Sequence, residues 1–385
     1  MSKKKHLLNY YLFIFLILLI PCELLAENKI MTSIDKNSNS ATDLSWTNLT
    51  LDEKIGQMIM VRMSGKFHNS SDYSIKDVKY LIDNFNVGGL IMFYGNVHGA
   101  AHNISLFQNI SKIPLLIASD YERGLGQWMS DGGTLFPSNM AVSASGKPLN
   151  AYQQGTVIAN EAKSLGVHLV LAPVLDINDN PKNPIINLRS YGDNPIVVSN
   201  YGLEFINGIQ DNGLLACAKH FPGHGNTDKD SHSSLPIINI DKKSINQNEL
   251  IPFKNAIDSK VSSVMVGHLV VPSLDESNLP ATHSYKITTD LLKKDLGFEG
   301  LVITDGLEMG ALSTNISNEE SILRSIEAGA DILLLPIDVV NAIRSIKSAI
   351  ESGRIKEERI DQSVEKIWNM KTEVGLFSQI GYPDL

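Results

Sequence analysis

The sequence predicts a (β/α)8 TIM-type barrel formed by a single domain, and three observations carry that expectation. About eight short apolar runs recur after residue 45, with amphipathic helical stretches between them. Strands that are apolar on both faces belong to parallel sheets covered by helices. The chain has 385 residues, which suits one barrel of roughly 250 residues with insertions. Finally, no linker or composition shift divides the region after residue 45. An open, doubly wound sheet uses the same local units and stays as the alternative. No Gly-x-Gly-x-x-Gly follows the first strand, which argues against dinucleotide binding.

In chain order, residues 1–26 read as a targeting segment. Lys3, Lys4 and Lys5 precede an apolar run from Leu12 to Ile20, the n-region and h-region of a secretory signal. Cleavage after Ala26, lipid attachment at Cys22 and retention as a membrane anchor are the three outcomes left open. Pro21 fits a lipobox poorly, and the run is short for a full span. Export to the periplasm or the extracellular space is expected, with membrane contact only through this segment. Residues 27–44, rich in Asn and Ser, read as a flexible tether. The folded domain is expected over 45–377, with 378–385 as a tail.

Within that domain, Thr50-Leu51-Asp52-Glu53 is a capping box that opens a short helix. The strand candidates are Met58–Val61, Gly89–Phe93, Leu115–Ser119, Leu169–Leu175, Leu214–Lys219, Ser263–Gly267, Leu301–Thr304 and Ile332–Leu335. Helical patterns fall at Val78–Phe85, Ala151–Leu165, Val197–Gln210, Glu249–Ser259, Asp290–Leu296, Glu319–Ala328 and Val339–Glu351. Several stop at or near a glycine, such as Gly166 or Gly213, as helix C-termini often do. A closing helix from Arg359 to about Val374 is expected to pack on the barrel's outside.

Bulk properties exclude some classes of function. A net charge of −9 argues against nonspecific nucleic-acid binding, which needs a basic face. Only Cys22 and Cys217 occur, so no disulfide framework is possible once the leader is gone. Cys217 sits in a strand-like run and is expected to pack as a small hydrophobe.

The chemistry is expected at the C-terminal ends of the strands. Reading those ends gives Asp120, Asp176, Lys219 with His220, His268 and Asp305, and Arg189 lies in the loop after the fourth strand. The fifth strand runs into Lys219-His220-Phe221-Pro222-Gly223-His224-Gly225-Asn226-Thr227 and on through Asp228-Lys229-Asp230-Ser231-His232. Two chemistries fit this ring. Histidine and aspartate can ligate a metal, but the spacings lie in a Gly/Pro loop without a helix to present them, so no metal or other cofactor is expected. The alternative is covalent glycosyl transfer, with one group attacking and a second protonating the leaving oxygen. Asp305, held at a strand end, suits attack. Glu308, three residues on, is the rival carboxylate. His232, two residues from Asp230, suits an imidazole acid/base oriented by a carboxylate. His224, between two glycines, reads as a loop organiser, Asp176 as a partner of loop backbone, and His268 as a hydrogen-bonding residue lining the pocket. Trp128 and Tyr191 could stack on a sugar, though aromatic packing is the more frequent fate of such side chains.

These blocks carry a family resemblance. The stretch from Lys219 to His232, with Ala172–Asn178, Asn187–Gly192 and Val302–Met309, resembles family 3 glycoside hydrolases of the β-N-acetylhexosaminidase branch over roughly residues 45 to 377. The resemblance implies the barrel, retention of anomeric configuration, Asp305 as nucleophile, and His232 with its partner Asp230 as acid/base on a mobile loop. It also implies that Asp120 clamps sugar hydroxyls while Arg189, Lys219 and His220 grip them from the ring's other edge; His268 is counted with these substrate-binding residues. Related β-glucosidases take a glutamate acid/base from a second domain, and the Asp-Ser-His loop here favours the N-acetylglucosaminidase branch. One departure stands out. The family's Asp-Gln-Glu-Gly-Gly-Arg is here Asp120-Tyr121-Glu122-Arg123-Gly124-Leu125, which displaces the arginine by two positions. The expected activity is release of GlcNAc from a small oligosaccharide or muropeptide. A phosphorylase, a β-glucosidase or β-xylosidase, and a non-catalytic sugar-binding protein are the alternatives.

Overall fold

A computed structural model describes residues 44–227, 235–310, 312 and 316–378. The expected leader, the tether up to residue 43, the tail from residue 379, and both Asp230 and His232 lie outside the described residues.

Eight parallel strands form the core: β1 Ile59–Gly65, β2 Gly89–Gly95, β3 Leu116–Ser119, β4 Leu169–Val170, β5 Leu215–Phe221, β6 Ser263–Val266, β7 Leu301–Thr304 and β8 Leu333–Leu334. Their order is β7-β6-β5-β4-β3-β2-β1-β8. A parallel bridge from Ile303 to Ile332 then joins β7 to the segment entering β8. Thr304 N–H donates to the Ile332 carbonyl at 3.0 Å and Leu307 N–H to that of Leu334 at 2.9 Å. The sheet therefore curls back on itself, and the fold is a (β/α)8 barrel rather than an open sheet. Every residue of β3, β5, β6 and β7 is buried, as strands covered by helices on one side and barrel filling on the other must be.

The local signals act as their chemistry dictates. Thr50 and Glu53 close the capping box before Leu51–Gln57, with Thr50 N–H donating to Glu53 Oε2 at 2.9 Å. Gly166, at φ 90°, ends the helix Leu149–Leu165 in the left-handed region that a side chain would resist. The closing helix spans Glu357–Glu373.

Three stretches differ from expectation. Regular pairing of β4 stops after Val170, short of the expected Leu175, because Pro173 has no N–H to give a ladder. The segment still follows β5, with Cys217 N–H to the Ala172 carbonyl at 2.9 Å and Leu175 N–H to that of Lys219 at 2.7 Å. A helix over Val97–Ile110, capped by Asn96, was not anticipated, since Gly99, two histidines and two asparagines blur its periodicity. The stretch expected as a helix over Asp290–Leu296 is a π-wound segment spanning Lys286–Asp295.

Candidate active site

A cavity of about 550 Å³ opens at the C-terminal ends of the strands, a volume suited to a small ligand. Asp120, Arg189, Lys219, His220 and Asp305 all line it. Asp120 directly follows β3, Lys219 and His220 lie in the last three residues of β5, and Asp305 follows β7. Residues up to 185 positions apart in sequence thus meet because parallel strands all deliver their ends to one face.

The polar wall is organised around Glu122, a residue to which the sequence reading assigned no role. Glu122 is 4 % exposed. Arg189 grips it with a two-pronged fork, Nη2 to Oε1 at 2.7 Å and Nε to Oε2 at 3.0 Å. Lys219 Nζ lies 2.9 Å from Glu122 Oε1 and 2.6 Å from Asp120 Oδ1. Burial alone would raise the Glu122 carboxyl, but the Arg189 and Lys219 charges outweigh it and hold the group well below the usual carboxylate range. Burial likewise disfavours the charged Lys219, and Asp120 and Glu122 reverse that, keeping the ammonium firmly protonated. Two cations and two carboxylates form one neutralised network whose free edges face the cavity. The alternation of a strand end could have drawn attention to Glu122, since Asp120-x-Glu122 puts two carboxylates on the same side.

Asp176 ties down the loop after β5. Its carboxylate accepts from His224 N–H at 2.7 Å and lies 2.7 Å from His220 Nδ1. His224, which also lines the cavity, stands 2.9 Å from Thr227 Oγ1 through its Nδ1. Burial pushes the His224 imidazole down to about 4, reinforced by His220 against the pull of Asp176, so it is neutral near pH 7. Asn183 Nδ2 donates to the carbonyls of His224 (2.8 Å) and Gly225 (2.9 Å). The stem of the loop that carries Asp230 and His232 is therefore held rigidly through Thr227.

Under this stem lies Glu249, 3 % exposed, whose Oε2 has no hydrogen-bond partner. Gly223 above it stands at φ 125°, a region that a side chain would resist, and a Cβ there would come within 2.7 Å of that oxygen. Burial, with Asp179 and Asp176 nearby, raises the Glu249 carboxyl to about 8 and keeps it protonated at neutral pH.

Asp305 is half-buried, and Gly306 N–H donates to its Oδ1 at 2.8 Å. Burial would raise its carboxyl. The charges of His220 and His268, the Gly306 N–H and Lys219 together hold it below its ordinary value. Asp305 is thus an anion fixed in direction by its own turn. Glu308 also lines the cavity but is ion-paired to Arg62 of β1, with 44 % of its side chain exposed.

One expectation is revised in part. His268 is fully buried, with Nδ1 2.7 Å from Thr282 Oγ1 and Nε2 3.0 Å from the Gly306 carbonyl. It makes hydrogen bonds as expected, but to Thr282 and to the turn that follows Asp305, and it is not among the residues that line the cavity. Tyr191 is buried and stacked on Tyr201, the packing that is the more frequent fate of such a residue, whereas Trp128 lines the cavity. Trp128 Nε1 donates to the Asp120 carbonyl at 2.8 Å. Arg123 lines the cavity too, with its Nε on the Phe136 carbonyl at 3.2 Å. Among the described residues, no group of three or more His, Cys, Asp or Glu side chains is arranged to hold a metal ion.

Comparison with known proteins agrees with this geometry. Residues 50–370 match the family model described as the glycosyl hydrolase family 3 N-terminal domain. A relative named β-hexosaminidase A, from Pseudoalteromonas piscicida, is 32 % identical over 85 % of this chain and 62 % of its own length. A β-N-acetylglucosaminidase/β-glucosidase of Cellulomonas fimi is 30 % identical over 88 % of this chain and 61 % of its own length. Among solved structures, a glycoside hydrolase family 3 β-N-acetylglucosaminidase from Paenibacillus sp. str. FPU-7 is similar with a TM-score of 0.82. It has 37 % identity over 88 % of this chain and 65 % of that one. The chain thus spans a little over three fifths of the length of these relatives.

Proposed function

The chain belongs to glycosyl hydrolase family 3, and we propose that it is an exported, retaining β-N-acetylglucosaminidase. Its substrates would carry a terminal β-linked GlcNAc, as chitooligosaccharides or cell-wall fragments do. The observation that carries this reading is Asp305. It is an ionised carboxylate directly after a strand, and it shares one cavity with Asp120, Arg189, Lys219 and His220. Preorganised charge around an anionic nucleophile is what a glycosyl transfer through an oxocarbenium-like transition state requires. The names of the Pseudoalteromonas and Paenibacillus relatives support the same activity. The basic residues Lys3 to Lys5 before the apolar run Leu12–Ile20 support export.

In the first step, Asp305 attacks the anomeric carbon. The bond from that carbon to the leaving oxygen breaks as protonated His232 gives up its proton to it. In the second, neutral His232 takes a proton from water, whose oxygen bonds to the anomeric carbon as the ester to Asp305 breaks. Asp305 ends as a carboxylate and His232 protonated, as they began. The Glu122 network takes no proton in either step; it holds Arg189 and Lys219 against the hydroxyls of the sugar. A histidine acid/base also spares the site a second reacting carboxylate, which lessens repulsion of an anionic leaving group and motivates the cell-wall alternative.

The test is GlcNAc release from N,N′-diacetylchitobiose by the full chain. Asp305→Ala should lower turnover by about 10⁴-fold or more, and His232→Ala by about 10²- to 10⁴-fold. Unchanged activity in both variants would sink the reading. Product analysis with and without inorganic phosphate separates hydrolysis from phosphorolysis.

A further inference from the structure

The cavity has two unlike walls. On the β3–β5 side its polar groups are deeply buried, with the Lys219 side chain 3 % exposed and that of Glu122 5 %. On the β1–β2 side it is aromatic and open. Tyr94 of β2 is 67 % exposed, the Arg62 side chain 50 %. Tyr94 meets Trp128 edge-on, with ring centroids 4.7 Å apart at 87°, and Phe93 meets Trp128 at 5.5 Å and 83°. The Arg62 guanidinium lies 4.5 Å from the Phe93 ring centroid and pairs with Glu308. All five side chains line the same cavity as Asp305.

An edge-on contact covers at most one face of one ring, and Tyr94, the more exposed of the two, stands at the rim of a polar pocket. The loop after β7 connects the two walls, since Asp305 serves the buried one and Glu308, three residues later, belongs to the open one. Arg62 and Glu308 cancel each other's charge, yet keep spare N–H donors and carboxylate lone pairs. A face for apolar C–H groups, flanked by one donor and one acceptor, matches the surface of a pyranose ring.

We propose that Tyr94 and Trp128, with the Arg62–Glu308 pair at their side, form a leaving-group subsite that takes the apolar face of a second pyranose. This rests on the glycosidase reading above and sharpens it. The chain would act on oligosaccharides in preference to simple glycosides, and Glu308 would recognise the leaving sugar rather than react.

The experiment compares two substrates of the full chain. N,N′-diacetylchitobiose has a second sugar, and N-acetylglucosaminyl fluoride has none. Tyr94→Ala should lower the ratio of kcat/KM for chitobiose to that for the fluoride by about tenfold, or ~1.4 kcal/mol of transition-state binding. Tyr94→Phe, which keeps the ring, should restore most of that ratio. Since Tyr94 is largely exposed, its replacement does not threaten the fold, and the ratio cancels any change in the amount of active protein. If wild type cleaves both substrates and Tyr94→Ala leaves the ratio unchanged, the subsite is wrong while the activity stands. If wild type cleaves neither, the activity assignment fails and the subsite with it.

Discussion

Two lysines, both almost fully buried, lie at opposite ends of the strands and meet opposite surroundings. Lys219, at the C-terminal end of β5, is 2.6 Å from Asp120 and 2.9 Å from Glu122. Lys371, on the closing helix, donates to Gln57 Oε1 and to the Pro114 carbonyl, each at 2.6 Å. Gln57 and Pro114 precede β1 and β3, so this contact is at the N-terminal end of the barrel. Only neutral acceptors bond it, and burial pushes its ammonium down to about 7. His168 beside it is pushed down to about 3, by burial first and then by the Lys371 charge. A buried ammonium stays charged only where carboxylates compensate its desolvation. The barrel supplies them at the end that holds the cavity, and at the other end the lysine braces neutral acceptors. This is the division expected of a barrel, with chemistry at the C-terminal face and stability at the other.

The largest effect should come from Lys219→Met. It leaves Asp120 and Glu122 with one cation fewer in a buried network, and removing one partner of such a network costs roughly 3–5 kcal/mol. Denaturant unfolding at pH 7 measures it, and kcat/KM should fall by about 10²-fold alongside. A loss under about 1 kcal/mol would mean that Glu122 is not the organiser described above.

Lys371→Met should lose less at neutral pH, because it strands only two neutral acceptors, at about 1–3 kcal/mol together. Its signature is in the pH dependence. Below about pH 7 both folded and unfolded chains hold the Lys371 proton. Between there and the unfolded value near 10.4 only the unfolded chain holds it, so wild-type stability rises with pH across that window. The stability difference between wild type and variant should therefore grow from pH 7 to 10, by at most about 4 kcal/mol. A flat difference would remove the contrast between the two lysines.

Glu249 tests the opposite sign near the active face. Its folded value is about 8 against roughly 4.3 unfolded. Between those values the folded chain keeps a proton that the unfolded chain has lost, so wild-type stability falls as pH rises. Glu249→Gln, neutral throughout, should gain on wild type from pH 4.5 to 8, again by at most about 4 kcal/mol. The smallest effect is expected of Trp128→Phe, which loses one hydrogen bond to the Asp120 carbonyl, worth about 1 kcal/mol in unfolding experiments.

The contrast also explains what the sequence reveals. Apolar runs and glycine stops are local, so β3, β5, β6 and β7 could be read nearly residue by residue, and strand ends located Asp120, Lys219, His220 and Asp305. Direction around a strand end is not local. His268 follows β6 closely and Lys219 lies close to the end of β5, yet the His268 ring bonds Thr282 and Gly306. Glu122 owes its importance to Arg189 and Lys219, 67 and 97 positions away, a pairing that no spacing rule contains. The pairing of Arg62 with Glu308 is hidden for the same reason, since it spans 246 positions.

The most direct test of the account is covalent. A 5-fluoro N-acetylglucosaminyl donor slows the second step more than the first and lets the glycosyl-enzyme accumulate, so that peptide mapping can locate the ester. The label is expected on Asp305, and it should be lost in Asp305→Ala. A label on Glu308, or turnover of chitobiose with no trapped peptide, would contradict it.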